Sequence, residues 1–359
     1  MRPALTAATD APRFLEDLVR QAETAGASDI HLQRLGASAA ISFRLDGVMT
    51  PIAPVPDEIA ERLFGRIKFL ARLKTYQESL PQDGRIDRAD AGSRSDLRVS
   101  TYPTVTGEKI VLRLFGAAST RQLSELGFPE GAEAELERFL RLSAGLLLLT
   151  GPAGSGKTTT IHACLAALAA HGRRHVITIE DPVEQIIPGV MQTEVNEARG
   201  LTFAAAARHL LRQDPQVLVV GEIRDEESAA IAVRAALTGH LMISTLHAGS
   251  CAGVWERMQV LCPDHSAALS ALELILNQRL LRRICRACAG TGCGDCLHTG
   301  HKGRAPVVEW FRVDAPARRG IRERGAGAIQ PLLPLELAAS QLVACGVTNP
   351  PEIERILAR

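Results

Sequence analysis

Three groups of residues could do chemistry. The first is Gly151-Pro152-Ala153-Gly154-Ser155-Gly156-Lys157-Thr158-Thr159, which fits G-x-x-x-x-G-K-[ST]. Glycines let successive backbone N–H groups converge on phosphate oxygens at a helix N-terminus. Lys157 would reach the β- and γ-phosphates, and the Thr158 hydroxyl would hold Mg²⁺. The second group is Cys285-x2-Cys288-x4-Cys293-x2-Cys296. Two C-x-x-C knuckles can wrap one tetrahedral ion, and four thiolates suit a closed, structural Zn²⁺ site. Iron–sulfur ligation and redox C-x-x-C chemistry are the alternatives, and His298 and His301 lie near enough in sequence to replace a thiolate. The third group is acidic. Glu180-Asp181 follows the apolar Val176–Ile179, and Gly221-Glu222 follows Val217–Val220.

The context suits a nucleotide site. Leu146–Leu149 reads as a buried strand before the Gly-rich loop, and Thr159–Ala170 reads as a helix after it. Strand C-termini of a parallel sheet meet at one edge, so Glu180 and Glu222 are expected to face one metal-bound triphosphate. Hydrolysis needs a group that orients water and a means of spreading γ-phosphate charge. Glu222 is assigned to the water and Glu180 to the Mg²⁺ and water network. His240 and His247 flank Leu241–Thr245 as candidate phosphate sensors, against the commoner structural role of a histidine. Arg98 and Arg113, on two adjacent candidate strands, could stabilise charge on ATP as arginine fingers; otherwise they are solvated or salt-bridged.

Hydrophobic residues make up 46% of the 359 and charged residues 23%, which suits about two soluble globular domains. With a net charge of +1 and 4% aromatics, no stacking, phosphate-tracking groove for nucleic acid is expected. No apolar window reaches transmembrane length and no signal-peptide h-region opens the chain, so a cytoplasmic location is expected. Residues 1–115 read as a small α+β domain with a mainly antiparallel sheet. The pattern includes a helix over Phe14–Ala25, an Asp46-Gly47 hairpin, a helix from Pro56 and a turn at Pro81–Gly84. Residues 116–127 read as a flexible linker. Residues 128–359 read as an α/β domain carrying the cysteine element at about 285–304. A mobile loop is expected over 315–328 and a helical tail over about 319–359.

Taken together, these residues resemble the traffic ATPases of type II secretion and type IV pilus assembly. The resemblance runs through Ser28-Asp29-Ile30-His31, Arg44-Leu45-Asp46-Gly47, Pro81–Arg85, Asp96–Ser100 and Gly107-Glu108-Lys109. It continues through the phosphate loop, Ile179–Glu184, Leu211–Pro215, Gly221–Asp225 and the histidine strand to Asn277-Gln278-Arg279-Leu280, the cysteines and Thr299–Arg304. It implies a PAS-like domain, a linker and a RecA-like ATPase domain, working as a homohexamer on ATP, Mg²⁺ and structural Zn²⁺. It also implies peripheral association with the cytoplasmic face of the inner membrane, through a platform protein and a membrane-recruiting subunit. The cysteines favour assembly over retraction. A RecA-like nucleic-acid motor, a retraction-type ATPase and a subunit that holds ATP without turnover are the competing readings. The chain departs from the family pattern in the four-residue spacer between the cysteine pairs, in Ala248-Gly249 in place of Thr-Asn, in Gln216 in place of Asp, and in residues 311–328. Most of an additional N-terminal docking domain is also expected to be missing.

Overall fold

The computed structural model describes residues 10–36, 38–114 and 121–358. Two compact units emerge. One holds the N-terminal part together with 282–304; the other holds the remainder up to 281 and from 305 onward.

In the N-terminal unit, α1 (Ala11–Ala25) precedes a six-stranded sheet. Its strands are β1 (Ala27–Arg34), β2 (Ser38–Leu45), β3 (Val48–Pro56), β4 (Gln82–Ile86), β5 (Leu97–Thr104) and β6 (Gly107–Leu114), ordered β3-β2-β1-β6-β5-β4. Helix α2 (Asp57–Leu70) joins β3 to β4, and the short α3 (Arg88–Ala91) joins β4 to β5. The paired strands run antiparallel. Residues alternate between faces, as a half-buried sheet requires. Ile41, Phe43 and Leu45 of β2 and Leu97 and Val99 of β5 are buried with Leu15, Leu18, Leu63 and Ile67 of the helices.

The Pro81–Gly84 turn expected from sequence is instead the entry to β4. The Gln82 amide donates to the carbonyls of Lys74 (3.1 Å) and Gln77 (2.8 Å), pinning the preceding loop beside the strand. A Cβ on Gly84 would lie 2.5 Å from the Ala71 carbonyl oxygen, so glycine here marks a close backbone approach.

In the second unit, α4 (Glu130–Arg141) leads into β7 (Gly145–Thr150), α5 (Lys157–Ala170), β8 (Val176–Glu180), β9 (Met191–Glu194), α6 (Phe203–Leu210), β10 (Val217–Val220), α7 (Glu226–Leu237) and β11 (Leu241–Leu246). Helices α8 (Cys251–Leu261) and α9 (His265–Ala271) precede β12 (Leu272–Ile284) and β13 (His301–Arg312). Helices α10 (Ala315–Arg324), α11 (Leu335–Ala344) and α12 (Pro350–Leu357) follow. The sheet order is β13-β12-β7-β11-β10-β8-β9, and the strands from β12 to β9 pair in parallel. Strands buried on both faces read as continuous apolar runs; Leu146–Leu149 and Val217–Val220 are such runs, and all eight residues are buried.

Two expectations for this unit need correction, and a third falls partly outside the described residues. The mobile loop over 315–328 is α10 followed by a 3-10 turn over Gly325–Ala328. Asp314 caps the helix through Ala317 N–H (3.0 Å), Pro316 sits in its first turn, and Ile321 is buried. The cysteine segment, expected within the ATPase domain, folds with the N-terminal unit. Leu297 packs on that unit's core, Gly303 N–H donates to Asp46 Oδ2 (2.8 Å), and Arg304 pairs with Asp46 (3.6 Å). Of the expected linker 116–127, residues 116–120 lie outside the described residues. The remainder contains a 3-10 turn, Leu123–Glu125, and Leu123 and the following Leu126 are buried in the second unit's core.

Lys68 and Glu108 form an ion pair at 3.0 Å, each side chain 2% exposed, and Lys68 also donates to the Gln77 carbonyl (3.0 Å). Removing one partner leaves a buried charge without compensation. Lys68→Met is therefore expected to destabilise the N-terminal unit by about 3–5 kcal/mol, and Lys68→Met with Glu108→Leu to recover most of it. Urea denaturation of the full chain, followed by far-UV circular dichroism, reads both.

Candidate functional site

The site forms where parallel strands end. The β7–β11 register matches Thr150 to Leu246, and the β10–β8 register matches Val220 to Ile179. The phosphate loop, His247, Glu222 and Glu180 therefore follow neighbouring strands at one edge of the sheet. Side chains lock these ends together. Thr150 Oγ1 donates to the carbonyls of Leu246 and Ala248 (both 2.9 Å) and accepts from Ala248 N–H (2.8 Å). Thr245 Oγ1 donates to the Gly221 carbonyl (2.8 Å), and Ile223 N–H to the Thr245 carbonyl (2.9 Å).

The loop itself is tightly confined. Gly151 has φ 141°, and a Cβ there would meet the Gln278 carbonyl and lie 2.7 Å from Ser155 Oγ. Gly156 has φ 92°, and a Cβ there would lie 2.6 Å from Gln278 Nε2. Both positions thus demand glycine on conformation and on space. The Lys157 ammonium donates to the carbonyls of Gly151 (2.6 Å) and Pro152 (3.1 Å). Burial lowers its pKa; Glu222 partly opposes this and Arg279 adds to it. Pro152, Ala153 and Gly154 are exposed, as are the hydroxyl-bearing Thr158 and Thr159 at the start of α5.

Glu222 accepts from Arg224 Nε (3.2 Å) and lies 3.3 Å from His247 Nε2. Arg224 also donates to Asp181 (3.2 Å) and stacks over Phe203 at 5.1 Å. Glu180 accepts from Thr178 Oγ1 (2.6 Å) and Gln192 Nε2 (2.8 Å), and His162 Nε2 lies 3.6 Å from its second oxygen. Burial alone would raise the Glu180 pKa. The interactions with His162, Gln192 and Thr178 outweigh it and hold the carboxyl below its ordinary value. A lowered folded-state value means that this network stabilises the fold at neutral pH and loses that contribution as pH falls through the lowered pKa.

His240 is not part of this cluster. It precedes β11, at the strand's opposite end and about 20 Å from His247 by strand rise. Its Nδ1 lies 3.0 Å from the Ala235 carbonyl at the end of α7, a helix-capping position. Arg98 and Arg113 belong to the N-terminal unit, where they sit opposite each other in the β5–β6 register. Arg113 pairs with the buried Asp29 (3.1 Å), which also holds Arg44 (3.1 Å). Arg98 is exposed and makes no ion pair among the described residues.

Sequence reasoning gave no role to the layer beneath the loop. Gln278 is buried and accepts from Thr160 Oγ1 (2.9 Å). Asn277 donates to the Gly249 carbonyl (3.0 Å) and to Glu309 (2.9 Å). Its signal was a polar triplet, Asn277-Gln278-Arg279, inside an otherwise apolar run. The structure accommodates the Ala248-Gly249 departure, because both residues act through backbone atoms, whatever their side chains.

The four cysteines form a second cluster, in the N-terminal unit. All four sulfurs lie within 4.8 Å of one another, with Cys285–Cys293 at 4.0 Å and Cys288–Cys296 and Cys293–Cys296 both at 3.9 Å. A tetrahedron with Zn–S near 2.3 Å has S···S edges of about 3.8 Å, so the donor set fits. Gly292 N–H points at Cys288 Sγ (3.2 Å) and Cys293 N–H at Cys296 Sγ (3.3 Å), as donors that favour thiolates.

A phosphate loop at the C-terminal edge of a largely parallel sheet, with carboxylates following the neighbouring strands, defines a nucleotide-binding protein of the α/β class. The family model described as Type II/IV secretion system protein matches residues 6–340. The chain belongs to that family and is an ATPase of the secretion and pilus motor class. It is 37% identical to the type II secretion system protein HxcR of Pseudomonas aeruginosa, over 96% of this chain and 76% of that one. It is 38% identical to the type IV pilus assembly ATPase PilB of Thermus thermophilus, over 87% of this chain and 38% of that one. Among solved structures it is similar to the pilus retraction motor PilT with bound ADP, with a TM-score of 0.69 and 26% identity, covering 96% of this chain and 97% of that one.

Gly151→Ala is expected to weaken ATP binding at least about tenfold, because it strains a left-handed φ and crowds the Gln278 carbonyl. Calorimetric titration of the variant reads this, with circular dichroism to show that the fold is kept.

Proposed function

We propose that this chain is the motor subunit of a type II secretion pseudopilus or type IV pilus assembly machine, hydrolysing ATP between a RecA-like domain and a PAS-like domain. The carrying observation is Glu222. It follows the strand next to β11, contacts His247 and Arg224, and is close enough to Lys157 to raise the lysine's proton affinity. It is the general base that orients and deprotonates the attacking water. Glu180, kept ionised by its donors, holds the metal–water network. Thr158 and Glu180 offer the hard oxygen ligands that suit Mg²⁺. When bound, that ion neutralises charge on the β- and γ-phosphates. Arg98 and Arg113 supply further positive charge as the N-terminal domain closes over the nucleotide. Asp29 holds Arg113 in place for this.

The working form in this reading is a homohexamer, peripheral to the inner membrane and coupled to a platform protein. Among the described residues no helix is long and apolar enough to cross a membrane. The cysteine cluster supports assembly rather than retraction and holds a structural Zn²⁺ through Cys285, Cys288, Cys293 and Cys296. His240 acts in this reading as a structural cap rather than a phosphate sensor.

Glu222→Gln is expected to reduce kcat at least about 100-fold while ATP affinity changes little, the pattern of a lost general base. Unchanged turnover in the purified variant would remove Glu222 from this role. Single-stranded DNA that stimulates turnover, where a platform protein's cytoplasmic domain does not, would favour the nucleic-acid motor. The purified chain is expected to carry about one zinc per subunit by elemental analysis, and a strong chelator is expected to lower its melting temperature.

A further inference from the structure

β12 stays in register with β7 as far as Asn277, opposite Thr150. The next two residues run directly beneath the phosphate loop. Arg279 Nη1 comes within 3.1 Å of where a Cβ on Gly151 would sit. The guanidinium is half-buried, and its hydrogen bonds go to neutral oxygens: Asn277 Oδ1 (2.6 Å), the Gln278 carbonyl (3.0 Å) and the Gly249 carbonyl (3.1 Å). No carboxylate pairs with it among the described residues. The carboxylate that acts on it electrostatically is Glu309, whose Oε1 already accepts from Asn277 Nδ2 (2.9 Å) and Cys251 N–H (2.8 Å). Burial lowers the pKa of Arg279, and Glu309 offsets only part of that.

Lys157 is in the same condition. Among the described residues it too is bonded only to carbonyls, those of Gly151 and Pro152. Arg279 is close enough to lower the proton affinity of Lys157, so two cations share the space around one loop. Partly buried charges of one sign are costly unless an anion offsets them. The carbonyl and amide contacts hold Arg279 in one orientation without neutralising it, which leaves its charge available to a ligand.

We propose that Arg279 is a second nucleotide-contacting cation of the same subunit, reaching the terminal phosphate of the triphosphate from the floor of the loop. Asn277 is its positioning residue, anchored in turn by Glu309 and Gly249. The assignment rests on the ATPase reading of the site. It differs from the arginine-finger role given to Arg98 and Arg113, because β12 and the phosphate loop lie in one compact unit.

The test compares Arg279→Gln and Arg279→Lys with the unaltered full chain, titrating each with Mg²⁺ and either a non-hydrolysable ATP analogue or ADP by calorimetry. Arg279→Gln is expected to weaken the ATP analogue about 10- to 100-fold, the range of a charged hydrogen bond, and ADP less than about threefold. Arg279→Lys, which keeps charge and much of the packing, is expected to restore part of the difference. If Arg279→Gln weakens both nucleotides equally, or neither, Arg279 merely shapes the loop and the proposal fails while the ATPase reading stands. If the unaltered chain binds neither nucleotide, the ATPase reading fails and takes the proposal with it.

Discussion

Parallel pairing of β7 with β11 and β12, and of β10 with β11 and β8, is the constraint on which the site depends. Parallel strands point the same way, so whatever follows each of them arrives at one edge. The four leucines of β7, the four apolar residues of β10 and the equally buried β11 make this arrangement stable by burying both faces. Full burial of each such side chain contributes about 1.5–3 kcal/mol. Polar residues occur where the strands end, and there they couple the ends. Thr150, Ser244 and Thr245 each donate to a carbonyl of the next segment. The phosphate loop is thereby mechanically continuous with Glu222, two residues beyond β10.

Much of this was legible in the sequence, because the informative residues are local. Val217–Val220 and Glu226–Leu237 have the expected limits, since an apolar run ending in Gly221 and a capping Asp225 are both written into adjacent positions. Glu222 and His247 lie 3.3 Å apart because each follows the end of one of two paired parallel strands, a meeting that strand register sets. What stayed hidden was non-local. β12 reads Leu-Glu-Leu-Ile-Leu-Asn-Gln-Arg-Leu-Leu, a pattern whose period alone does not distinguish strand from helix. Its identity comes from β7 beside it. His162 gave no sign that it would face Glu180, because nothing in the order of residues relates a helix face to a particular strand end. Residues 315–328 looked mobile from their Gly, Arg and Ala content, yet Asp314 and the burial of Ile321 form a helix there.

The cysteine segment shows a different limit. Its metal-binding pattern is local and clear, but its allegiance is not. Gly303 N–H and Arg304 both reach Asp46, at the hairpin between β2 and β3, so a segment embedded in the second half of the sequence packs with the first. Zinc ligation would hold Cys285 and Cys296 in fixed relation, and Leu297 next to Cys296 inserts into the N-terminal core. An ion held by the four thiolates would therefore stiffen a segment that packs on the N-terminal unit's own core.

The charge balance around the loop explains why so many groups beneath it are polar but neutral. Asn277, Gln278, Thr160 and the Gly249 carbonyl all engage the loop or its supports without adding negative charge. A carboxylate in their place would pair with Arg279 or Lys157 and compete with phosphate. The acids that are present are each occupied elsewhere: Glu309 by Asn277 and Cys251, Asp181 by Arg224, and Glu180 by Thr178, Gln192 and His162. Glu222 is the carboxylate whose field reaches Lys157, and its partial exposure leaves room for water. A site arranged in this way leaves Lys157 and Arg279 without a carboxylate partner among the described residues, and partly buried positive charge of that kind favours an anion.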